Sequence, residues 1–211
     1  MTLKADEYAL IAPFYDLLLN PILDPLRRKV TKSVLSNAPG RVLDVCCGTG
    51  RQSIFLHQHG VQVFGVDNSM AMLKQAYRKS PVGLPYLLAD ATKISFAEAS
   101  FDALVLCFAL HEKSPAVRIE ILREAGRVLK PGGILVIVDY IQAKTSLSRA
   151  MQPLVRLVER VAGVEHALNH KQFMLEGGLD TIFSGTNDWV RQQFLPVFFG
   201  VIAIAVYSLR V

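Results

Sequence analysis

The sequence predicts an α/β protein with a doubly wound, mainly parallel seven-stranded sheet, and three observations carry that prediction. The apolar run Val42–Cys46 suits a buried parallel strand, and it opens at once into Gly48-Thr49-Gly50, where the chain can turn tightly and a ligand can approach the backbone. Further short apolar runs alternate with helical stretches, and two of them end on an acid, Asp67 and Asp90. The run from residue 194 to 211 is rich in β-branched and aromatic residues and is broken by Gly200, which reads as an antiparallel C-terminal hairpin with a turn near that glycine.

The elements follow in order. Ala9, Leu10, Ala12, Phe14, Leu17 and Leu18 mark a short amphipathic helix near Pro13, and a second helix is expected from Pro25 to Asn37. After the first strand, residues 51–59 read as a short helix, and Val61–Val66 as a second strand ending at Asp67. Asn68-Ser69 offers an N-cap for a helix over Met70–Lys79, with Met70 and Met72 expected mostly in the core. Leu84–Ala89 is a third strand, and Pro85 places it at an edge or makes it the strand start. Phe101–Cys107 is the fourth. A helix over Pro115–Leu129 has Ser114 as N-cap, Pro115 at its first position and Pro131-Gly132-Gly133 beyond its end, and Gly133–Asp139 is the fifth strand. Leu147–Val161 and Glu165–Glu176 then read as two helices joined by glycine.

Composition narrows the class of function. The chain has 211 residues, about half of them hydrophobic, enough for one sizeable core, and its formal charge of +5 contains no basic block of the kind nucleic-acid tails carry. Cys46, Cys47 and Cys107 lack metal-site or disulfide spacing, which indicates buried thiols in a reducing compartment. Asp6 and Glu7 precede any apolar run, so no secretory signal is expected and the cytoplasm is the expected location. The apolar part of the C-terminal run, residues 194–207, would span roughly 21 Å as a helix against a hydrocarbon core of roughly 30 Å, and Pro196 interrupts it, so stable membrane insertion is not expected.

A glycine turn at the carboxyl end of one strand, with an acid at the end of the next, describes a nucleotide site: Gly48 and Gly50 admit the ligand, and Asp67 takes ribose hydroxyls. Asp90 with the backbone amide of Ala91 can both accept from an exocyclic amine and donate to a ring nitrogen, as adenine requires. The glycine spacing disfavours a nicotinamide dinucleotide, because Ser53 stands where the third glycine of that fingerprint belongs.

These residues, read as Val42-Leu43-Asp44-x-x-Cys47-Gly48-Thr49-Gly50 followed by a strand ending in an acid, resemble the class I S-adenosylmethionine-dependent methyltransferases, which have a Rossmann-like fold. The resemblance runs on through Asp90-Ala91, through Phe101 to Glu112 and through Arg127–Gly133, and it covers about residues 8 to 140. The ubiquinone and menaquinone branch is the most similar, because Tyr8, Ala12, Tyr15 and Asp16 match its opening pattern. Cys46 stands where much of the wider family has glycine. The resemblance implies S-adenosyl-L-methionine as cofactor, held by Asp44, Cys46, Gly48, Gly50, Asp67, Asn68, Met72, Asp90, Ala91 and Phe108. It also implies an N-terminal segment folded over the cofactor, with Tyr15 near the methionine moiety. The loop after the fourth strand carries none of the motifs of adenine-N6, cytosine-C5 or protein-arginine methyltransferases, which favours a small acceptor.

His111 and His170, with Tyr15, are the candidates for chemistry, the histidines as general bases. His166, Asn169, His170 and Phe173 fall at helical spacing and are expected to form a stripe facing the substrate, and no metal site is expected because a third ligand is missing. The expected organisation is one domain over 1–211: a helical cover (1–38), a cofactor-binding core (39–139), a helical substrate lid (140–193) and the hairpin (194–211). The expected function is methyl transfer to a small, mainly apolar acceptor. The alternatives are a protein that binds S-adenosylmethionine without methyl transfer or uses a modified cofactor, and then a Rossmann oxidoreductase. The oligomeric state is left open.

Overall fold

A computed structural model describes residues 6, 8–9, 12–37, 39–184, 186 and 188–210, and nothing of the Leu18 side chain; Leu10, expected in the first helix, lies outside the described residues. The strands are β1 (Arg41–Val45), β2 (Gln62–Asp67), β3 (Tyr86–Leu88), β4 (Phe101–Cys107), β5 (Leu129–Tyr140), β6 (Trp189–Val197) and β7 (Ile202–Leu209). The helices are α1 (Ala12–Leu35), α2 (Arg51–His57), α3 (Met70–Lys79), α4 (Pro115–Val128), α5 (Ser146–Ala162) and α6 (Val164–Leu175). The seven strands form one sheet in the order β3-β2-β1-β4-β5-β7-β6. β1 pairs in parallel with both β2 and β4, so the strand order reverses there and a crevice opens at the carboxyl ends of the two central strands. β7 runs antiparallel between β5 and β6 and closes the sheet as the expected hairpin.

Burial explains why these segments are strands. Val42, Leu43, Leu104, Val105, Leu135, Val136 and Ile137 are wholly buried, as a central strand covered on both faces requires. The last strand is the same kind of element, with Ala203, Ile204 and Ala205 fully enclosed. β6 lies at an edge, so the missing N–H of Pro196 disturbs no second ladder.

Several boundaries differ from expectation. The two N-terminal helices are one helix, α1, which continues through Pro21 and Pro25. Its buried stripe Leu26, Val30 and Val34 packs into the core, and this packing outweighs the hydrogen bonds that the prolines remove. Met70 is 45 % exposed rather than core, whereas Met72, two residues on, is buried: the Ser69 cap turns the first residue of α3 outward. β5 begins at Leu129, because Leu129 pairs with Phe101 before a register shift takes up Pro131 and Gly132. β6 begins at Trp189 rather than near 194, since Trp189 stacks on Phe183 and pairs with Leu209. Among the described residues no helix is long and apolar enough to cross a membrane.

Candidate active site

The glycine turn supports two different contacts. A side chain at Gly48 would meet nothing within 4 Å, so the backbone there is open to a ligand. A side chain at Gly50 would sit 2.2 Å from the Tyr86 hydroxyl, so Gly50 is closed by packing and serves the fold. Both have left-handed φ, 55° and 71°. Asp67, at the end of β2, accepts from the Gly48 N–H at 2.7 Å and the Ser69 N–H at 2.8 Å, which fixes its carboxylate at the mouth of the turn. Burial raises its pKa, and the two backbone donors offset part of the rise. Asp44 is fully buried and accepts the Ser53 hydroxyl at 2.5 Å, so the serine that replaces a third glycine ties β1 to α2. Burial, against that hydrogen bond, pushes Asp44 up to about 7.

Two clefts meet at Cys46. One, about 70 Å³, is lined by Tyr15, Asp44, Cys46, Gly48 and Phe108 among others. The other, about 240 Å³, is lined by Cys46, Asp67, Asn68, Asp90, Ala91 and Thr92, with Lys113 and α4 on its far wall. Most residues expected at a cofactor site are thereby brought together around the ends of β1, β2 and β4. Asp90 is partly committed, accepting from both the N–H and the hydroxyl of Thr92 at 2.8 Å through one oxygen. Met72 lies in the core below Ser69 and lines neither cleft. Cys46 and Phe108, the first residues after the adjacent strands β1 and β4, both have φ of 56°, left-handed for side chains that strongly disfavour it. The three cysteines are free thiols, and burial raises each of them.

The N-terminal segment is fastened over this crevice. Asp16 accepts the Thr49 hydroxyl at 2.6 Å and pairs with Lys79 at 2.6 Å, which holds α1 against the glycine turn. Asp6 bonds the Ser69 hydroxyl and the Ala71 N–H, and the Tyr8 hydroxyl donates to Glu112 at 2.5 Å. Tyr15 reaches the smaller cleft, and burial raises its hydroxyl to about 12, so it is neutral at ordinary pH.

The histidines expected to act as bases lie behind that crevice. His111 is 5 % exposed; its Nδ1 is 2.8 Å from Asp139 and its Nε2 3.5 Å from Glu159 of α5. Burial alone would lower its pKa, but the two carboxylates override this and raise it to about 10, so the ring is protonated and engaged at both nitrogens. The other Glu159 oxygen accepts the Tyr140 hydroxyl at 2.8 Å, and Asp139 also accepts the backbone N–H groups of Leu110 and His111. His170 packs edge-on to Tyr140 with ring centres 4.9 Å apart; burial lowers its pKa, and its Nε2 has no partner among the described residues. Neither histidine lines the two clefts. The expected α6 stripe divides. His166 and Asn169 border a cleft of about 490 Å³ with Tyr8 and Glu112, Phe173 points into the core, and the buried His170 borders the groove between α5 and α6. Among the described residues no cluster of three side chains could hold a metal.

Sequence reasoning missed Asp139, Glu159, Thr92 and Lys113. Asp139 had a signal, since it stands at the carboxyl end of the fifth apolar run as Asp67 does at the second; Glu159 had only a faint one, as the lone acid of a basic, apolar helix.

Residues 42–133 match a family model described as a methyltransferase domain. A demethylmenaquinone methyltransferase of Beutenbergia cavernae is 40 % identical over 134 residues, 62 % of this chain and 55 % of that protein. Another, from Mycolicibacterium paratuberculosis, is 33 % identical over 159 residues, 72 % of this chain and 66 % of that one. The chain spans about half the length of the curated relatives it matches first. The fold is shared with the N-methyltransferase NodS of Bradyrhizobium japonicum in complex with S-adenosylhomocysteine, at a TM-score of 0.68 and 16 % identity over 96 % of this chain and 94 % of that one. This sheet order, this glycine turn and the matched methyltransferase domain give the chain the fold and the domain of the class I S-adenosylmethionine-dependent methyltransferases, and its sequence is similar to demethylmenaquinone methyltransferases.

Proposed function

We propose that this protein transfers a methyl group from S-adenosyl-L-methionine to a small, mainly apolar acceptor. The observation that carries the proposal is the pair of clefts meeting at Cys46, with an unobstructed Gly48 on one side and Asp67, Asp90 and Ala91 on the other. These residues fit the cofactor: the open backbone at Gly48 leaves room for the methionine moiety, Asp67 takes the ribose hydroxyls, and Asp90 with the Ala91 N–H takes the adenine. Bound, the cofactor supplies an electrophilic methyl on a sulfonium. The protein's task is then to hold a nucleophile in line with it and to exclude water. Phe108 and the neutral Tyr15 close the methyl end, and Cys46 and Asn68 form the walls. Tyr8, on the neighbouring cleft with His166 and Asn169, extends the aromatic surface toward the acceptor, a composition suited to an apolar ring. The names of the relatives favour an acceptor of the quinone class. In this reading His111 is a positioning residue that holds the Phe108–Leu110 turn through Asp139, and His170, behind Tyr140, acts as a base only if the acceptor reaches past Tyr140. Residues 140–193 serve as the lid.

A second reading, cofactor binding without transfer, is favoured by one observation: neither His111, engaged at both nitrogens, nor His170 lines either cleft. Calorimetry followed by turnover separates the readings. S-adenosylmethionine and S-adenosylhomocysteine are expected to bind and NAD is not, and a demethylated quinol is expected to accept tritium from methyl-labelled cofactor. Binding without transfer to any small acceptor would favour the second reading, and binding of NAD alone would return the fold to the oxidoreductases.

A further inference from the structure

The helix α5 is amphipathic in the wrong sense for a helix packed on a core. Leu147, Leu154, Leu157, Val158 and Val161 form one stripe at spacings of three, four and seven, and each is more than 50 % exposed. Its buried residues are Ser148 and Glu159, the latter fixed by His111 and Tyr140. Beside the apolar stripe runs a basic one, Arg149, Arg156 and Arg160, all exposed, and among the described residues none of the three pairs with a carboxylate. Glu159 is the only acid of α5, so the outer surface of this helix is apolar and cationic with no exposed negative charge. α6 continues the pattern: Val164, Leu168 and Leu175 stand exposed along one side. They form the apolar wall of a groove of about 690 Å³, whose other wall carries Arg156 and Arg160. The hairpin tip abuts the start of α5 at Ser148 and turns Phe199, 61 % exposed, into solvent.

We propose that the α5–α6 face docks peripherally on an anionic phospholipid surface, α5 lying in the plane of the headgroups with its leucines and valines below and its arginines on lipid phosphates. A helix of 17 residues, about 25 Å long, with adjoining apolar and arginine stripes has the form of an interfacial element. Charge decides between occupants. A second copy would bring one arginine band toward another, whereas an anionic bilayer neutralises it and supplies the apolar phase that the leucines lack. The face is separate from the cofactor clefts, and its occupancy does not depend on what the protein methylates.

The test is co-sedimentation of the full chain with vesicles of phosphatidylcholine alone and with a third phosphatidylglycerol. Binding is expected only to the anionic vesicles, released by high salt. Replacing the three arginines together (Arg149→Gln, Arg156→Gln, Arg160→Gln) is expected to lower partition about 100-fold. The pair Leu157→Asp and Val161→Asp should do so as well, with thermal midpoint and S-adenosylmethionine calorimetry unchanged in both variants. A chain that stays in the supernatant with anionic vesicles overturns the proposal, as does binding that ignores both sets of substitutions. A dimer by light scattering that Leu157→Asp dissociates, without vesicle binding, assigns the face to a second copy instead.

Discussion

Two buried carboxylates, Asp67 at the end of β2 and Asp139 one residue before the end of β5, belong to the same sheet and are held in different ways. Asp67 is held by backbone donors, Gly48 and Ser69, the latter only two residues away. Asp139 holds a charged side chain, His111, which in turn meets Glu159 from a helix outside the sheet. The first arrangement leaves the carboxylate at the mouth of a cleft, available to a ligand, and places the polar work on the main chain. The second closes on itself, since cation and anions satisfy one another and no acceptor is left facing solvent. The first arrangement therefore suits a ligand, and the second fastens α5 to the sheet.

The largest effect expected is on the second arrangement. Asp139→Ala strips a buried cation of its main partner and two backbone N–H groups of their acceptor, and should cost about 3 to 5 kcal/mol in urea unfolding. The same cluster sets a pH dependence. His111 has a folded pKa of about 10, above its unfolded value of about 6.5, so its contribution is complete below pH 6.5 and is lost as pH rises toward 10. His111→Gln should flatten that slope, read as the urea midpoint against pH. On the cofactor side, Gly50→Ala drives a methyl group into Tyr86 at a left-handed φ and should destabilise by about 3 kcal/mol. Asp67→Ala should weaken S-adenosylmethionine binding by about 1 to 3 kcal/mol in calorimetry, and an unchanged affinity would remove Asp67 from the ribose. Gly48→Ala is the smallest in stability, about 1 kcal/mol from φ alone, yet it should reduce cofactor affinity if the methionine moiety sits where the proposed function places it, because its methyl fills open space beside the turn.

The comparison also explains what could be read in advance. The glycine turn, Asp67 and Asp90 are legible because each is defined by its neighbours in the chain: an apolar run, a turn, an acid at the strand end. The hairpin was legible for the same reason, with Gly200 at its turn. His111 was visible as a residue but not as an ion pair, since Asp139 lies 28 residues on and Glu159 arrives on a separate helix. Gly48 and Gly50 looked equivalent because Tyr86, which separates their roles, comes from another strand. The continuous α1 was hidden by Pro21 and Pro25, whose local preference gave way to the burial of Leu26, Val30 and Val34.

The left-handed backbone at Cys46 and Phe108 bears on engineering. Glycine adopts that conformation without the penalty of about 1 to 2 kcal/mol that a side chain incurs, so a library screened for heat resistance alone should recover glycine at both positions. Those variants would lose the thiol and the ring that line the smaller cleft, and they would be sturdier proteins with a wider and less shaped cleft.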